Sequence, residues 1–318
     1  MKRDFTAQLR AKTAALRHGH PSRALRIIMV AGEYGASTTA LLLGELLDEA
    51  RWPTMVLTPL TSHMAGKPYK QGYDGSAAAL QKQLAKARKH GMRAVIVVLT
   101  DTLAHEHILE TLSIYMSIIT SLSPEAETLL AHQVDYMVVP SDFDMEQASV
   151  PAHQAISYGE NVLADAKIQS IKLFKKGTEI ELVVDHQTTL QLATFLVGKA
   201  NVRNVAAAVA AAYVLGIDTD LFEEGIARLE GVLGNYVPIP TDKPYDVAVD
   251  SARHHVSYEL VLETAKALAK RRLIVACDET VDKQGRRYAK EIANRVVVVG
   301  TDKDEVGGVT AAENAQSA

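Results

Sequence analysis

The strongest constraint on the fold of this chain is an alternation along its first hundred residues. Short apolar runs at 26–31, 54–58 and 94–100 are separated by stretches at 37–51 and 75–90 in which apolar residues recur at helical spacing. Strands alternating with helices of that length predict successive βαβ units. Right-handed crossovers then place the strands side by side in one mostly parallel sheet with helices on both faces. Ligands of such sheets bind outside the carboxyl ends of the strands, so the loop after Ala31 is the first place to look for chemistry.

The rest of the chain extends this pattern. Residues 103–120 and 124–132 read as helical, and 136–139 as a buried strand closed by Pro140. Residues 168–184 read as a hairpin turning at Lys175-Lys176-Gly177 on the edge of the sheet. Two helices follow at 201–216 and 219–229, closed by Gly216 and Gly231. After a connection marked by Pro238, Pro240 and Pro244, a second βαβ pattern has strands at 246–250, 272–277 and 295–299 and helices at 256–269 and 283–293. A length of 318 residues suits two domains. With 47% hydrophobic but only 5% aromatic residues, their cores must be built from Ala, Val, Leu and Ile, as in helices packed on parallel strands. The expected architecture is a helical lead at 1–24, a P-loop-type α/β sheet domain at 25–235, and a smaller Rossmann-like α/β domain at 236–318. The lead is rich in Arg and Lys, but Phe5, Leu9 and Leu16 recur at helical spacing, which predicts an amphipathic helix docked on the first domain rather than a transit peptide. Residues 306–318 are small and polar, as in a disordered tail.

Charge narrows the function classes. The balance of 34 basic against 38 acidic residues, net −4, leaves no electrostatic footprint for nucleic acid. No apolar stretch approaches the length of a membrane span. Cys277 is the only cysteine, so neither an intrachain disulfide nor a thiolate metal cluster can form, and its apolar run at 273–277 marks it as a structural core residue. A cytoplasmic setting fits both observations.

The chemistry-bearing motif is Gly32-Glu33-Tyr34-Gly35-Ala36-Ser37-Thr38-Thr39, placed where a strand meets a helix and backbone N–H groups can cradle phosphate. A working P-loop has Lys just before the Ser/Thr, to reach the β- and γ-phosphates, and here that position is Ala36. Glu33 adds a negative charge that would cost on the order of 1–4 kcal/mol beside a phosphate. Other constellations are weaker. His105 with His107, and His254 with His255, lack the spacing of a metal pair. Asp142 and Asp144, after Pro140, suit turn chemistry better than acid–base catalysis.

Taken in order, the segment Pro21-Ser22-Arg23-Ala24-Leu25, the strand to Ala31 and the loop Gly-x-x-Gly-x-Ser-Thr-Thr resemble the entry to the central domain of the Mur ligase family, most of all its MurE type. Asn201-Val202-Arg203-Asn204, followed by an Ala-rich helix and Gly216-Ile217, is similar to the family's Asn-x-x-Asn helix. Val232-Leu233-Gly234-Asn235 sits where the family has a Gly-Arg pair. Val249-Asp250-Ser251-Ala252 resembles its Asp-Tyr-Ala-His segment, and Asp282-Lys283 with Arg286-Arg287 its basic stretch. The resemblance implies weak binding of ATP or ADP: Gly32, Gly35, Ser37 and Thr38 at the phosphates, Asn201 and Asn204 toward the adenine, and Asp250 at the ribose.

The departures fall on catalysis. Family members transfer phosphate from ATP to a carboxylate with Lys and magnesium. Here Ala36 replaces the Lys, Val97 and Val98 stand near the first metal glutamate, and Ala126 replaces a metal-binding histidine. The segment carrying a carbamylated lysine is missing between Ala131-His132-Gln133 and the next strand. Magnesium is therefore left without its family ligands, with Asp101 the nearest acid. Only about two dozen residues precede the first strand, too few for the family's uridine-diphosphate domain, and Thr301-Asp302-Lys303-Asp304-Glu305 lacks its amino-acid-binding arginine. Three readings remain: a catalytically degenerate Mur-ligase-like subunit with no catalytic residue, acting beside a protein partner in cell-wall precursor metabolism; a minimal ligase compensated by Asp101 with Lys67, Lys70 or Arg253; and a nucleotide sensor.

Overall fold

A computed structural model of the chain describes residues 5–69, 73, 75–143, 152–252 and 255–300. Lys70, Asp144, Arg253, His254 and the segments 301–305 and 306–318, all singled out above, lie outside the described residues. The chain divides into two compact units. The first comprises Met1–Ser170, Ile180–Leu192 and Arg203–Leu229, the second Ile171–Glu179, Ala193–Val202 and Glu230–Ala318.

The first unit begins with α1 (Phe5–Arg17), β1 (Arg26–Ala31), α2 (Ala36–Glu49), β2 (Thr54–Leu57), β3 (Ser62–Met64), β4 (Lys67–Pro68) and α3 (Ala77–Lys89). It continues with β5 (Ala94–Val98), α4 (Asp101–His105), β6 (Ile114–Ile119), α5 (Pro124–Leu130), β7 (Val134–Pro140) and β8 (Ala152–Gly159). Strands β9 (Ala166–Phe174), β10 (Gly177–Val184) and β11 (Thr188–Thr194) and helix α6 (Lys199–Val214) each have residues in both units, and α7 (Phe222–Ala227) lies in the first. Among the described residues one sheet runs in the order β11-β10-β9-β8-β7-β6-β1-β5-β2-β3-β4. β1 pairs in parallel with β5 on one side and β6 on the other, and the parallel pairing continues to β2 and to β7 and β8. The chain goes from β5 across β1 to β6, and that reversal opens the crevice where such sheets bind ligands.

Burial explains why these runs are strands. Ile27, Met29 and Ala31 of β1 and Val95 and Val97 of β5 are wholly buried, and on one face they meet Leu80 and Leu84 of α3 and Leu129 of α5. Each large apolar side chain so buried contributes roughly 1.5–3 kcal/mol. Ala206 to Ala212, with Val209, are buried along α6, where small side chains let the helix lie close to its neighbours.

Two sequence expectations need correction, and a third is extended. Residues 103–120 are not one helical stretch: after α4 and a short 3-10 turn at Ile108–Thr111 the chain forms β6 in the middle of the sheet. A short continuous apolar run buried on both faces has no alternation to distinguish it from helix. In α1 it is Ala11 and Ala15 that are buried at 1% exposure, whereas Leu9 and Leu16 are 55% and 69% exposed. The helix docks by its small residues and not by the face that its leucines suggested. The hairpin at 168–184 is present as β9 and β10 but belongs to a longer series with β8 and β11.

In the second unit, β12 (Val237–Ile239) and β13 (Val247–Val249) form an antiparallel ribbon. α8 (His255–Leu268), β14 (Ile274–Asp278), α9 (Lys283–Ile292) and β15 (Arg295–Val299) follow, and β14 and β15 pair in parallel. The strand expected at 246–250 thus pairs with β12 and not with β14. Pro238 hid β12, because proline lacks the N–H of a ladder and is tolerated only on edge strands. The core of this unit gathers Tyr258, Leu262, Val275, Cys277, Val281 and Ala289, so Cys277 is a buried core residue. Among the described residues no helix is long and apolar enough to cross a membrane.

Candidate functional site

The loop between β1 and α2 is built by sheet register. Ala31 of β1 pairs with Ile119 of β6, so the residues that follow, Gly32 and Thr120, emerge side by side. Gly32 has φ 152° and Gly35, capping α2, has φ 84°. A Cβ on Gly32 would meet Thr120 Oγ1, and one on Gly35 would meet Asn204 Oδ1. Both glycines are required by close approach as well as by backbone conformation.

The hydroxyls of Thr120 and Ser121 close on this loop. Thr120 Oγ1 donates to the Tyr34 carbonyl at 2.7 Å, and the Tyr34 N–H donates to Ser121 Oγ at 3.2 Å. An amide of the kind that cradles phosphate is therefore bonded to the chain's own side chain. Thr38 and Thr39 are buried, and Thr39 Oγ1 donates to Asn204 Oδ1 at 3.5 Å. Ser37 is half-buried and Glu33 exposed. Ala36, at the cation position, is 6% exposed and offers no charge.

Beside the loop lies a water-sized cavity lined by Thr120, Ser141, Asp142, Tyr158, Gly159 and Arg203. Tyr158 is buried, and its hydroxyl donates to the Ile119 carbonyl at 3.0 Å, at the end of β6. Arg203 Nη1 stands 3.5 Å from Asp142 Oδ2, with both side chains reaching solvent. Burial pushes the Tyr34 phenol up, opposed by the positive charge of Arg203 and reinforced by Asp142 and Glu33. Arg203 was not singled out from the sequence, although it lies inside the Asn201-Val202-Arg203-Asn204 run; a cation inside a polar motif was the available signal.

Two of the compensating candidates, Asp101 and Lys67, are among the described residues. Thr100 caps α4, and Asp101 in its first turn accepts from His105 Nε2 at 2.9 Å with 72% of its side chain exposed. Val98 ends β5, and Ala126 is wholly buried in the core under α5. Lys67 sits on β4, four strands from β1, roughly 19 Å away across the sheet. His107 pairs with Glu110 at 3.4 Å, and His255 with Asp282 at 3.4 Å. Among the described residues no group of three or more His, Cys, Asp or Glu is arranged to hold a metal ion.

A second polar cluster belongs to the second unit. Asn201 is 1% exposed; its Nδ2 donates to the Val197 carbonyl at 2.8 Å and to Asn235 Oδ1 at 3.1 Å, and its Oδ1 accepts from Asn235 Nδ2 at 2.7 Å. Asp250 accepts the N–H groups of Tyr236 and Ala252, both at 2.7 Å. Burial raises the Asp250 pKa, and the N–H donors of Tyr236, Ala252 and Ser251 oppose it. Ser251 Oγ donates to the Gly234 carbonyl at 2.8 Å, so segments 234–236 and 250–252 are tied together. Asp282 caps α9 through Gly285 N–H at 2.7 Å and accepts His255 N–H at 2.9 Å. Asn201 and Asp250 thus share one cluster, while Asn204 joins the loop in the first unit.

Residues 125–212 match the model of the Mur ligase middle domain. The UDP-N-acetylmuramoyl-L-alanyl-D-glutamate–2,6-diaminopimelate ligase of Halalkalibacterium halodurans is 25% identical over 307 residues, covering 89% of this chain and 63% of that protein. The chain thus spans less than two thirds of the length of this relative. A solved structure of a UDP-N-acetylmuramoyl-L-alanyl-D-glutamate–2,6-diaminopimelate ligase shares the fold with a TM-score of 0.70 at 21% identity, over 92% of this chain and 66% of that one. The folylpolyglutamate synthase of Mycobacterium tuberculosis, solved in complex with ADP, shares it with a TM-score of 0.78 at 14% identity, over 98% and 82%.

Proposed function

We propose that this chain, which belongs to the Mur ligase family of ATP-dependent ligases, is a catalytically degenerate member that binds an adenine nucleotide without turning it over. The observation that carries the reading is the loop itself. Its two glycines and helix junction are kept, yet Ala36 supplies no cation and the Tyr34 amide is bonded to Ser121. Phosphoryl transfer needs charge neutralisation that strengthens toward the transition state. Backbone amides alone hold an anion about equally before and during transfer, so they favour binding over rate. Among the described residues Asp101 belongs to no group of three or more side chains arranged to hold a metal ion, which makes it a poor candidate for the missing metal ligand.

In this reading Gly32, Gly35, Ser37 and Thr38 contact the phosphates, with Asn204 against Gly35 in the same unit. The folylpolyglutamate synthase that shares the fold was solved with ADP, which supports an adenine nucleotide as the ligand. The spans 25–235 and 236–318 act as the ATP-binding-type and the C-terminal domains. The protein is a cytoplasmic binding or scaffold subunit for a partner in cell-wall precursor metabolism.

Calorimetry with ATP, ADP and adenosine, with and without magnesium, together with assays of ADP release and amide formation, tests this reading. Binding without turnover is expected. Magnesium-dependent ADP release abolished by Asp101→Ala would replace the reading with that of a minimal acid–amino acid ligase, and absence of nucleotide binding would overturn it.

A further inference from the structure

The loop has lost its cation, but a guanidinium stands beside it. Arg203 and Asn204 are consecutive residues of α6. Asn204 lies against Gly35, while Arg203 lines the neighbouring cavity with Thr120 and Ser141. Thr120 is also the residue whose hydroxyl holds the Tyr34 carbonyl, so cavity and loop share a wall. Consecutive helical residues point about 100° apart. One can therefore pack on the loop while the other reaches over its flank.

We propose that Arg203 is the phosphate-binding cation of this chain, replacing from α6 the lysine absent at position 36 and holding the phosphoryl oxygens of a bound adenine nucleotide beside the loop. This rests on the nucleotide-binding reading and deepens it. A guanidinium presents paired donors suited to phosphate oxygens, and it stays charged at every working pH. Its contact with Asp142 does not prevent this. That pair is 3.5 Å apart with side chains 37% and 65% exposed, a geometry that contributes at most about 1 kcal/mol, so an incoming phosphate can displace the carboxylate. The charge of Arg203 already reaches the Tyr34 phenol in the loop, where it opposes the effect of burial.

The test is calorimetry of the full chain with ATP and with adenosine, on the wild type and on Arg203→Ala, Arg203→Lys and Asp142→Asn, with thermal melts to confirm folding. The wild type is expected to bind ATP more tightly than adenosine. Arg203→Ala should weaken ATP by about 10- to 100-fold, the worth of hydrogen bonds to a charged group, and leave adenosine unchanged. Arg203→Lys should retain part of the ATP affinity, and Asp142→Asn should raise it about twofold to fivefold by removing the competing carboxylate. ATP affinity within twofold of wild type in Arg203→Ala, or equal loss for ATP and adenosine, would overturn this assignment and leave the nucleotide reading standing. Equal wild-type affinity for ATP and adenosine would do the same. A wild type that binds neither would overturn both. Should Arg203→Ala fail to fold, unchanged ATP affinity in both other variants would overturn the assignment.

Discussion

The side-chain amides of Asn201 and Asn235 hold each other in both directions, each Nδ2 donating to the other's Oδ1, at 3.1 and 2.7 Å. With the further bond to the Val197 carbonyl, Asn201 acts as a brace between the start of α6 and segment 234–236. Truncating either partner removes bonds from the other amide in a part-buried place, at a cost of about 1–3 kcal/mol. Asn201→Ala and Asn235→Ala should each lower stability by that amount in urea titrations. The double variant should cost less than the sum, because the shared pair is lost only once.

Gly35 is expected to tolerate no side chain. Gly35→Ala must adopt a left-handed φ of 84° and displace the Asn204 amide, a combination expected to cost roughly 1–3 kcal/mol. Gly231 has open space around its would-be Cβ, and Gly231→Ala should stay within about 0.5 kcal/mol of wild type. Equal melting temperatures for the two variants would contradict the close packing of the loop.

Asp48 supplies a pH signature. Burial is the main cause that pushes its pKa up to about 6, opposed by N–H groups of Thr54 and Gly66 and reinforced by Glu45. Because the folded value exceeds the unfolded one, the stabilisation is complete below about pH 4 and is lost as pH rises through about 6. Asp48→Asn should abolish that loss. It should raise the stability relative to wild type above pH 6 by on the order of 1 kcal/mol after solvent screening, seen as a higher melting temperature, and change little near pH 4.

At the opposite end of the strands, Arg26 lies 4.9 Å from the ring centre of Trp52 and 4.8 Å from that of Tyr115, and Arg93 lies 4.1 Å from Trp52. Arg26→Met keeps much of the packing but removes the charge over both rings. A loss of about 1–2 kcal/mol is expected, together with a shift in the fluorescence of Trp52, the sole tryptophan.

Restoring the loop's own cation separates affinity from rate. Ala36→Lys with Glu33→Thr should raise ATP affinity, since it adds a positive charge and removes a negative one. ADP release should stay at background, because Val98 and Ala126 still provide no metal ligand. Vigorous turnover in that variant would mean that the loop alone limits catalysis.

The sequence by itself determined the elements with long periodic patterns, such as α2, α3 and α6, and the chemistry missing from the loop at Ala36, because periodicity and residue identity are local properties. It also carried the family resemblance, through an ordered series of short motifs and not through any one of them. It did not reveal that 114–119 is a central strand, since a run buried on both faces looks alike as helix or strand. Nor did it reveal which face of α1 is buried, because Ala11 and Ala15 carry no hydrophobic signal as strong as the exposed Leu9 and Leu16. Only the tertiary structure set β6 beside β1 and so brought Ser121 to the Tyr34 amide across 87 residues of chain. It likewise set Arg203 next to a loop that lacks its lysine. Hydrogen-bond partners at such separations are chosen by strand order, and strand order results from how whole elements bury their faces, which no local window of sequence contains.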